Sequence, residues 1–333
     1  MAAGAPFIPA RHEGGAVTMA DAYARTSGRV GVVTVHQGCG LTNAMTGLTE
    51  AAKSRTPLLI VAAEATAPRS NFYVDQPALA TAIGAESIRI SDPANAELLV
   101  AEAVVRALRE RRTILLNVPL DVQAMPTQAR PALEGATYAD FVEPASSTSE
   151  LPRPKPQRDP APEQVRRLVD VLTRAERPVF IAGRGARSDA ARSALELLAE
   201  RSGALLATSA VAKGLFRDNP WSLDVSGGFA SPLAAELIAD ADLIVGWGTA
   251  LNMWTTRHGR LSGQNALVAQ VDDDPDALGA HRAIDVGVLG DAASTADYAL
   301  RSWSGHLRVG YRRGDVGEGP LRTRYVADDD VRR

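Results

Sequence analysis

Residues 11–43 read RHEGGAVTMADAYARTSGRVGVVTVHQGCGLTN, and the two periodicities inside this stretch decide the fold class. From residue 13 to 27, Ala16, Ala20, Tyr23 and Ala24 share one face at helical spacing and Gly28 follows as a stop, which predicts a helix. Val30 to Val35 is a β-branched run too short for a helix and predicts a strand. A turn at residues 37–40 leads into a second helix striped by Met45, Leu48 and Ala52, with Thr42 or Asn43 as its candidate N-cap. Glu13 stands in the first turn of the first helix, where the macrodipole favours a carboxylate. On local physics that is a structural residue. Its small neighbours Gly14, Gly15 and Ala16 nevertheless leave room for a planar ligand beside it.

Outward from this stretch the alternation continues. Thr56-Pro57 breaks the second helix and launches an apolar strand, Leu58 to Ala62. Helix Ala78 to Ile83, strand Ser87 to Ile90, helix Pro93 to Glu110 and strand Thr113 to Val118 complete a first α/β unit. Between Pro126 and Pro162 the composition turns to Pro, Ser, Thr and scattered charge, which predicts an extended linker. A second unit has strands at 178–182, 204–207, 242–246, 266–271 and 284–289, among helices at 163–175, 189–201, 233–239 and 292–303. Strands alternating with helices at this spacing predict an α/β chain of two doubly wound parallel-sheet domains. Beyond His306 the sequence is rich in Arg, Gly and Asp and is expected to form a flexible tail, residues 306–333.

The bulk numbers narrow the function classes. A chain of 333 residues is long enough for two cores without disulfides or metals. The formal net charge of −3 gives no electrostatic reason to expect nucleic acid or an anionic membrane as partner. Cys39 stands alone, which excludes an internal disulfide framework and a four-cysteine zinc site and suits a reducing cytoplasm. Met1 to Ala10 has no basic n-region and no apolar h-region, so a soluble, cytoplasmic protein acting on a small molecule is the expectation.

Several sites compete. Gly183-Arg184-Gly185, after a strand and before a helix, is compatible with a pyrophosphate cradle and an NAD-dependent oxidoreductase, but Ser188 stands where the third glycine belongs. Asp272-Asp273-Asp274 closes a strand at the edge where such sheets bind ligands. Cys39 lies three residues after His36, yet the surrounding glycines predict a tight turn with a small buried residue rather than a nucleophile. Asn252, Thr255, Thr256 and His258, with Trp247 and Trp254, make a polar loop whose spacing decides nothing.

Taken together, Arg11-His12-Glu13-Gly14-Gly15-Ala16, the following Ala-Asp-Ala-Tyr-Ala-Arg, Gly38-Cys39-Gly40-Leu41-Thr42-Asn43 and Thr56-Pro57-Leu58 resemble the thiamine-diphosphate-dependent enzymes of the acetolactate synthase type. Residues 212–216, 248–252 and 271–275 are similar to that family's central domain. The resemblance implies that Glu13 hydrogen-bonds a ring nitrogen of the cofactor's aminopyrimidine. The imino form of that ring then removes the thiazolium proton, and a 2-oxo acid such as pyruvate is attacked. It implies that Gly38, Gly40, Thr42 and Asn43 shape the pyrimidine pocket and that Asp75 and Gln76 lie on the substrate side.

Departures from the pattern bear on the expectation. The family's diphosphate-binding domain carries Gly-Asp-Gly and an asparagine that hold Mg²⁺, whereas here Gly290-Asp291 is followed by Ala292 and Gly314-Asp315 by Val316. The strand, helix and Gly-x-Pro-Gly turn that precede the glutamate in the family have no counterpart here. The resulting expectation is an incomplete pyrimidine-binding domain at 1–127, truncated at its N-terminus, a linker at 128–160 and a central domain at 161–305. No metal ligand is assigned within the chain. It implies further that thiamine diphosphate binds with Mg²⁺ only if a diphosphate domain is supplied elsewhere, that the chain forms a homodimer or a complex with a diphosphate-domain chain, and that this chain alone is inactive. The flavin-binding segment of some synthases is absent, so FAD is not expected. The alternatives are a non-catalytic truncated or regulatory subunit and the NAD-dependent oxidoreductase.

Overall fold

The computed structural model describes residues 7–126 and 158–312, apart from residues 264 and 305. These fall into two compact units, one on each side of the stretch 127–157. Most of the expected linker and residues 313–333 of the expected tail lie outside the described residues.

The first unit opens with α1 (Glu13–Ser27), β1 (Gly31–Val35), α2 (Cys39–Lys53) and β2 (Leu58–Glu64). It continues through α3 (Gln76–Ile83), β3 (Glu86–Arg89), α4 (Ala96–Glu110), β4 (Thr113–Pro119) and a short α5 (Leu120–Gln123). All strands are parallel, in the order β1-β2-β4-β3. Alternation along β2 explains the two faces: Leu58, Ile60 and Ala62 meet Val17, Leu41, Ala44 and Leu48 from α1 and α2, while Leu59 points to the other side with Ala103 and Ala107 of α4. Helices therefore cover both faces. At the edge, β1 keeps that alternation with Val33 and Val35 buried and Val32 exposed.

Both ends of α1 are capped. His12 accepts from the Gly14 N–H through Nδ1 at 3.0 Å, and Gly28 closes the helix at φ 70° with its N–H on the Ala24 carbonyl. Helix α2 begins earlier than its polar residues suggest. Its N-cap is Gly38, with no side-chain cap bond, so neither Thr42 nor Asn43 caps it. A chain turning off β1 at Gly38 with φ 57° and ψ −103° enters the helix at once, which leaves Thr42 and Asn43 inside the first turns. The two helices pack closely because Gly47 faces Val17, where a Cβ would approach Cγ1 to 3.0 Å.

In the second unit, α6 (Pro162–Arg174) presents Val165, Leu168, Val169 and Leu172 on one stripe. It is followed by β5 (Pro178–Ala182), α7 (Asp189–Ser202), β6 (Leu205–Thr208), β7 (Ser222–Val225) and α8 (Pro232–Ala239). Then come β8 (Leu243–Trp247), β9 (Leu267–Asp272), β10 (Val286–Leu289) and α9 (Ala292–Ser302). The six strands are parallel in the order β10-β9-β8-β5-β6-β7. Phe180 packs toward α6, α7 and α9, and its neighbours Val179 and Ile181 toward α8. Strand β7 has no sequence signature. It is four residues long, its register on β6 shifts between Leu206 and Thr208, and Asp224 adopts φ 59°.

The first residues of the expected tail are held down. Tyr311 is buried, its hydroxyl donates to the Leu237 carbonyl at 2.9 Å and its N–H to the Gly203 carbonyl at 2.8 Å. Arg312 donates Nε to the Ala204 carbonyl and lies over the Trp221 ring. Gly203 and Gly310 let the two backbones touch: a Cβ on Gly310 would lie 2.7 Å from the Gly203 Cα. A composition rich in Arg and Gly hid one large aromatic anchor, and that anchor fixes residues 306–312.

Candidate cofactor site of the first unit

The carboxyl end of β1, the first turn of α1 and the first turns of α2 meet at Glu13. Asn43 Nδ2 donates to Glu13 Oε2 at 3.3 Å. Beneath the carboxylate is Gly40, where a Cβ would sit 3.6 Å from Glu13 Oε1 and 2.8 Å from the His36 Cβ. Gly14 is tight for the same reason, with the Asn43 carbonyl 3.3 Å from a Cβ placed there. Hydrogen bonding from Glu13's own backbone, then from Asn43, holds the carboxyl below its ordinary range. The group is thus an ionised, half-exposed acceptor over a glycine, with His36 beside it.

Gly38 is needed at the turn. Besides its positive φ, a Cβ there would lie 2.4 Å from the Phe72 carbonyl oxygen. Its N–H donates to Gln76 Oε1 at 3.2 Å. Gln76 is buried and donates Nε2 to Asn117 Oδ1 at 2.8 Å, and Asn117 Nδ2 donates to Ser87 Oγ at 2.8 Å. Asp75 caps α3, accepting from the Ala78 N–H, and is exposed. Thr42 turns its hydroxyl back onto the Cys39 carbonyl.

Glu13, Gly40 and Asn43 are therefore brought together, and Gly38 is joined to Gln76 instead. Sequence reasoning did not find Asn117, Ser87 or Phe72, whose ring meets His36 edge-on at 5.2 Å. One signal was available: Asn117 interrupts the apolar run Ile114-Leu115-Leu116 before Val118. Cys39 is exposed, not buried, because α2 starts at that residue and turns it outward.

The competing sites of the second unit resolve differently. The Gly183 N–H donates to the Trp247 carbonyl at 2.8 Å and the Gly185 N–H to the Gly248 carbonyl at 3.0 Å, so these donors are used within the chain. The glycines are there for backbone contact: a Cβ on Gly183 would lie 2.4 Å from both the Gly248 oxygen and the Thr249 Cβ. This contact closes the gap between β5 and β8, where the strand order reverses and such sheets bind ligands. Asn252 Oδ1 accepts from the Trp254 and Thr255 N–H groups, which folds the polar loop on itself. Trp247 is buried in β8, whereas Trp254 is exposed. Asp274 accepts from the Asp276 N–H as a turn cap. Among the described residues, no three His, Cys, Asp or Glu side chains are arranged to hold a metal ion, and no helix is long and apolar enough to cross a membrane.

Two family models match the chain. Residues 2–83 match the N-terminal TPP binding domain of thiamine pyrophosphate enzymes, and residues 165–298 match their central domain. The chain belongs to the thiamine pyrophosphate enzyme family. Within that family it is 33% identical over 310 residues to a sulfoacetaldehyde acetyltransferase of Castellaniella defragrans, covering 90% of this chain and 48% of that protein. It is 29% identical over 294 residues to an acetolactate synthase large subunit of Parasynechococcus marenigrum, covering 85% of this chain and 45% of that protein. The chain thus spans about half the length of the curated relatives it matches. Benzoylformate decarboxylase from Polynucleobacter necessarius shares the fold, with a TM-score of 0.67 at 21% identity over 90% of this chain and 54% of that one. The thiamine pyrophosphate enzyme assignment replaces the dinucleotide reading of Gly183 and Gly185.

Proposed function

We propose that this chain supplies the aminopyrimidine-binding face of a thiamine-diphosphate-dependent enzyme that decarboxylates or joins 2-oxo acids in the manner of acetolactate synthase. One observation carries the reading: the Glu13 carboxylate stands over Gly40, aimed by Asn43, with no side chain between carboxylate and glycine. The residues fit the group. Asn43 engages Oε2, the glycine floor admits a flat ring, and at the same turn Gln37 Oε1 is a buried acceptor without a partner.

When bound, thiamine diphosphate supplies the reactive thiazolium carbon and the electron sink for decarboxylation. Glu13 would hold a proton against a ring nitrogen of the bound cofactor, and Asn43 fixes the direction in which the carboxylate points. Gly38, Gly40 and Thr42 shape the pocket wall. Asp75, exposed at the head of α3, is assigned to the substrate side with Gln76 behind it. The magnesium-bound diphosphate is assigned to a diphosphate-binding domain supplied by a separate chain, and the assembly, with that chain or as a homodimer, is placed in the cytoplasm.

Titrating the purified chain, in the presence of a diphosphate-domain chain, with thiamine diphosphate plus Mg²⁺, and separately with NAD, tests the reading. Saturable thiamine diphosphate binding that weakens in Glu13→Gln, with circular dichroism unchanged, is expected. Saturable binding of NAD without any of thiamine diphosphate would overturn it. Assaying pyruvate turnover with and without an added diphosphate-domain chain separates a catalytic chain from a binding subunit.

A further inference from the structure

We infer that Asn117 and Ser87 are positioning residues for the cofactor turn, acting through Gln76; the inference rests on the reading of Glu13 and its glycine floor as the pyrimidine site. Gly38 sets where α2 begins. Its carbonyl accepts from the Thr42 N–H at 3.0 Å, so a shift at Gly38 moves the turn that carries Gly40 and Asn43 toward Glu13. The Gly38 N–H leaves the turn in the other direction, toward the interior, and its acceptor is a side chain rather than backbone.

The polarity of the chain behind it is set at the Gly38 end, because a backbone N–H can only donate. Gln76 therefore presents Oε1 to Gly38 and Nε2 to Asn117 Oδ1, which leaves Asn117 Nδ2 to donate to Ser87 Oγ on β3. Ser87 holds the last amide in place as its acceptor. Gln76 is 1% exposed and Asn117 0%, so no water substitutes for a lost partner and a single break leaves an unpaired polar group in the core. Asn117 is on β4, a central strand, opposite Ala62 of β2 and Arg89 of β3. The relay therefore ties a positive-φ loop glycine to a central strand of the sheet.

The variants Gln76→Met and Asn117→Val cut the relay with little change in size. Ser87→Ala removes only its last acceptor, and Gln76→Glu keeps an acceptor for the Gly38 N–H because Asn117 can turn its amide to donate. Ile114→Val, on the α4 side of the same sheet, is the control for general destabilisation. Two measurements are made on the full chain with the diphosphate-domain chain present: hydrogen exchange of the Gly38 amide and the dissociation constant for thiamine diphosphate with Mg²⁺. Gln76→Met and Asn117→Val are expected to speed Gly38 exchange and weaken binding by about tenfold, about 1.4 kcal/mol. Ser87→Ala is expected to shift both in the same direction by less, Gln76→Glu to restore most of the affinity, and Ile114→Val to move neither. Unchanged Gly38 exchange and affinity in Gln76→Met and Ser87→Ala, or an equal loss in Ile114→Val, overturns the inference. Binding lost in Glu13→Gln but kept in Gln76→Met overturns it alone, whereas a wild-type chain that binds no thiamine diphosphate even with the diphosphate-domain chain present overturns the cofactor reading and the inference with it.

Discussion

Glu13 is where sequence and structure meet at the level of single atoms. Its place in a first helical turn is readable from the chain, but its pairing with Asn43, thirty positions away, depends on how α1 and α2 cross. Because backbone and Asn43 hydrogen bonds stabilise the ionised form, the carboxyl titrates below its ordinary range. Removing Asn43 with Asn43→Ala should raise that titration point, as followed by carbon NMR of the Glu13 carboxyl against pH; an unchanged midpoint would mean that Asn43 does not hold it. The linked stability has a definite sign. A carboxyl depressed on folding contributes above its unfolded value, and the contribution fades as pH falls through the folded value. At this scale much of the candidate site was legible in Glu13, Gly40 and Asn43. Asn117 was not, since a lone asparagine in a strand does not announce which loop its side chain anchors.

Elements follow the same division. The apolar stripe of α2 predicted the helix, yet its first residue was set by Gly38, whose left-handed backbone and contact with Phe72 are tertiary facts. Gly38→Ala places a Cβ against the Phe72 carbonyl, in a conformation L-residues avoid, and should cost about 1–3 kcal/mol in urea unfolding. A similar loss, about 1–3 kcal/mol, is expected for Gly183→Ala, where the obstacle is the backbone of Gly248 and Thr249. If Gly183→Ala unfolds like wild type, close backbone contact is not why that glycine is there. Strand β7 escaped the sequence reading because Ser222-Leu223-Asp224-Val225 offers two apolar residues and a bulged register, too little for a period to show.

On the scale of the molecule, each unit closes its own core, and in the second unit residues 306–312 belong to that closure. Tyr311 contributes a buried ring and a hydroxyl bonded to Leu237 and Asp240. Tyr311→Phe should cost about 1 kcal/mol through the lost hydrogen bond, and Tyr311→Ala about 3–5 kcal/mol through the cavity as well, both read from denaturant midpoints. Burial and the neighbouring Asp240 push the phenol's titration up. A proton held more tightly in the folded chain makes stability complete below the unfolded tyrosine value and lost as pH rises past it, so alkaline unfolding of Tyr311→Phe should be less steep.

The sequence by itself determined the α/β class, the alternation of helix and strand in both units and the position of the carboxylate on its helix. These depend on periodicity and on local backbone preferences, which neighbouring residues express without help. Only the tertiary structure decided which glycines shape the Glu13 site and which merely let backbones touch. It also revealed the link from Gly38 through Gln76 and Asn117 to Ser87, and the anchoring of 306–312. Each of these is a contact between residues distant in the chain, and such contacts exist only once the sheets have set their strand order and the helices have packed across them.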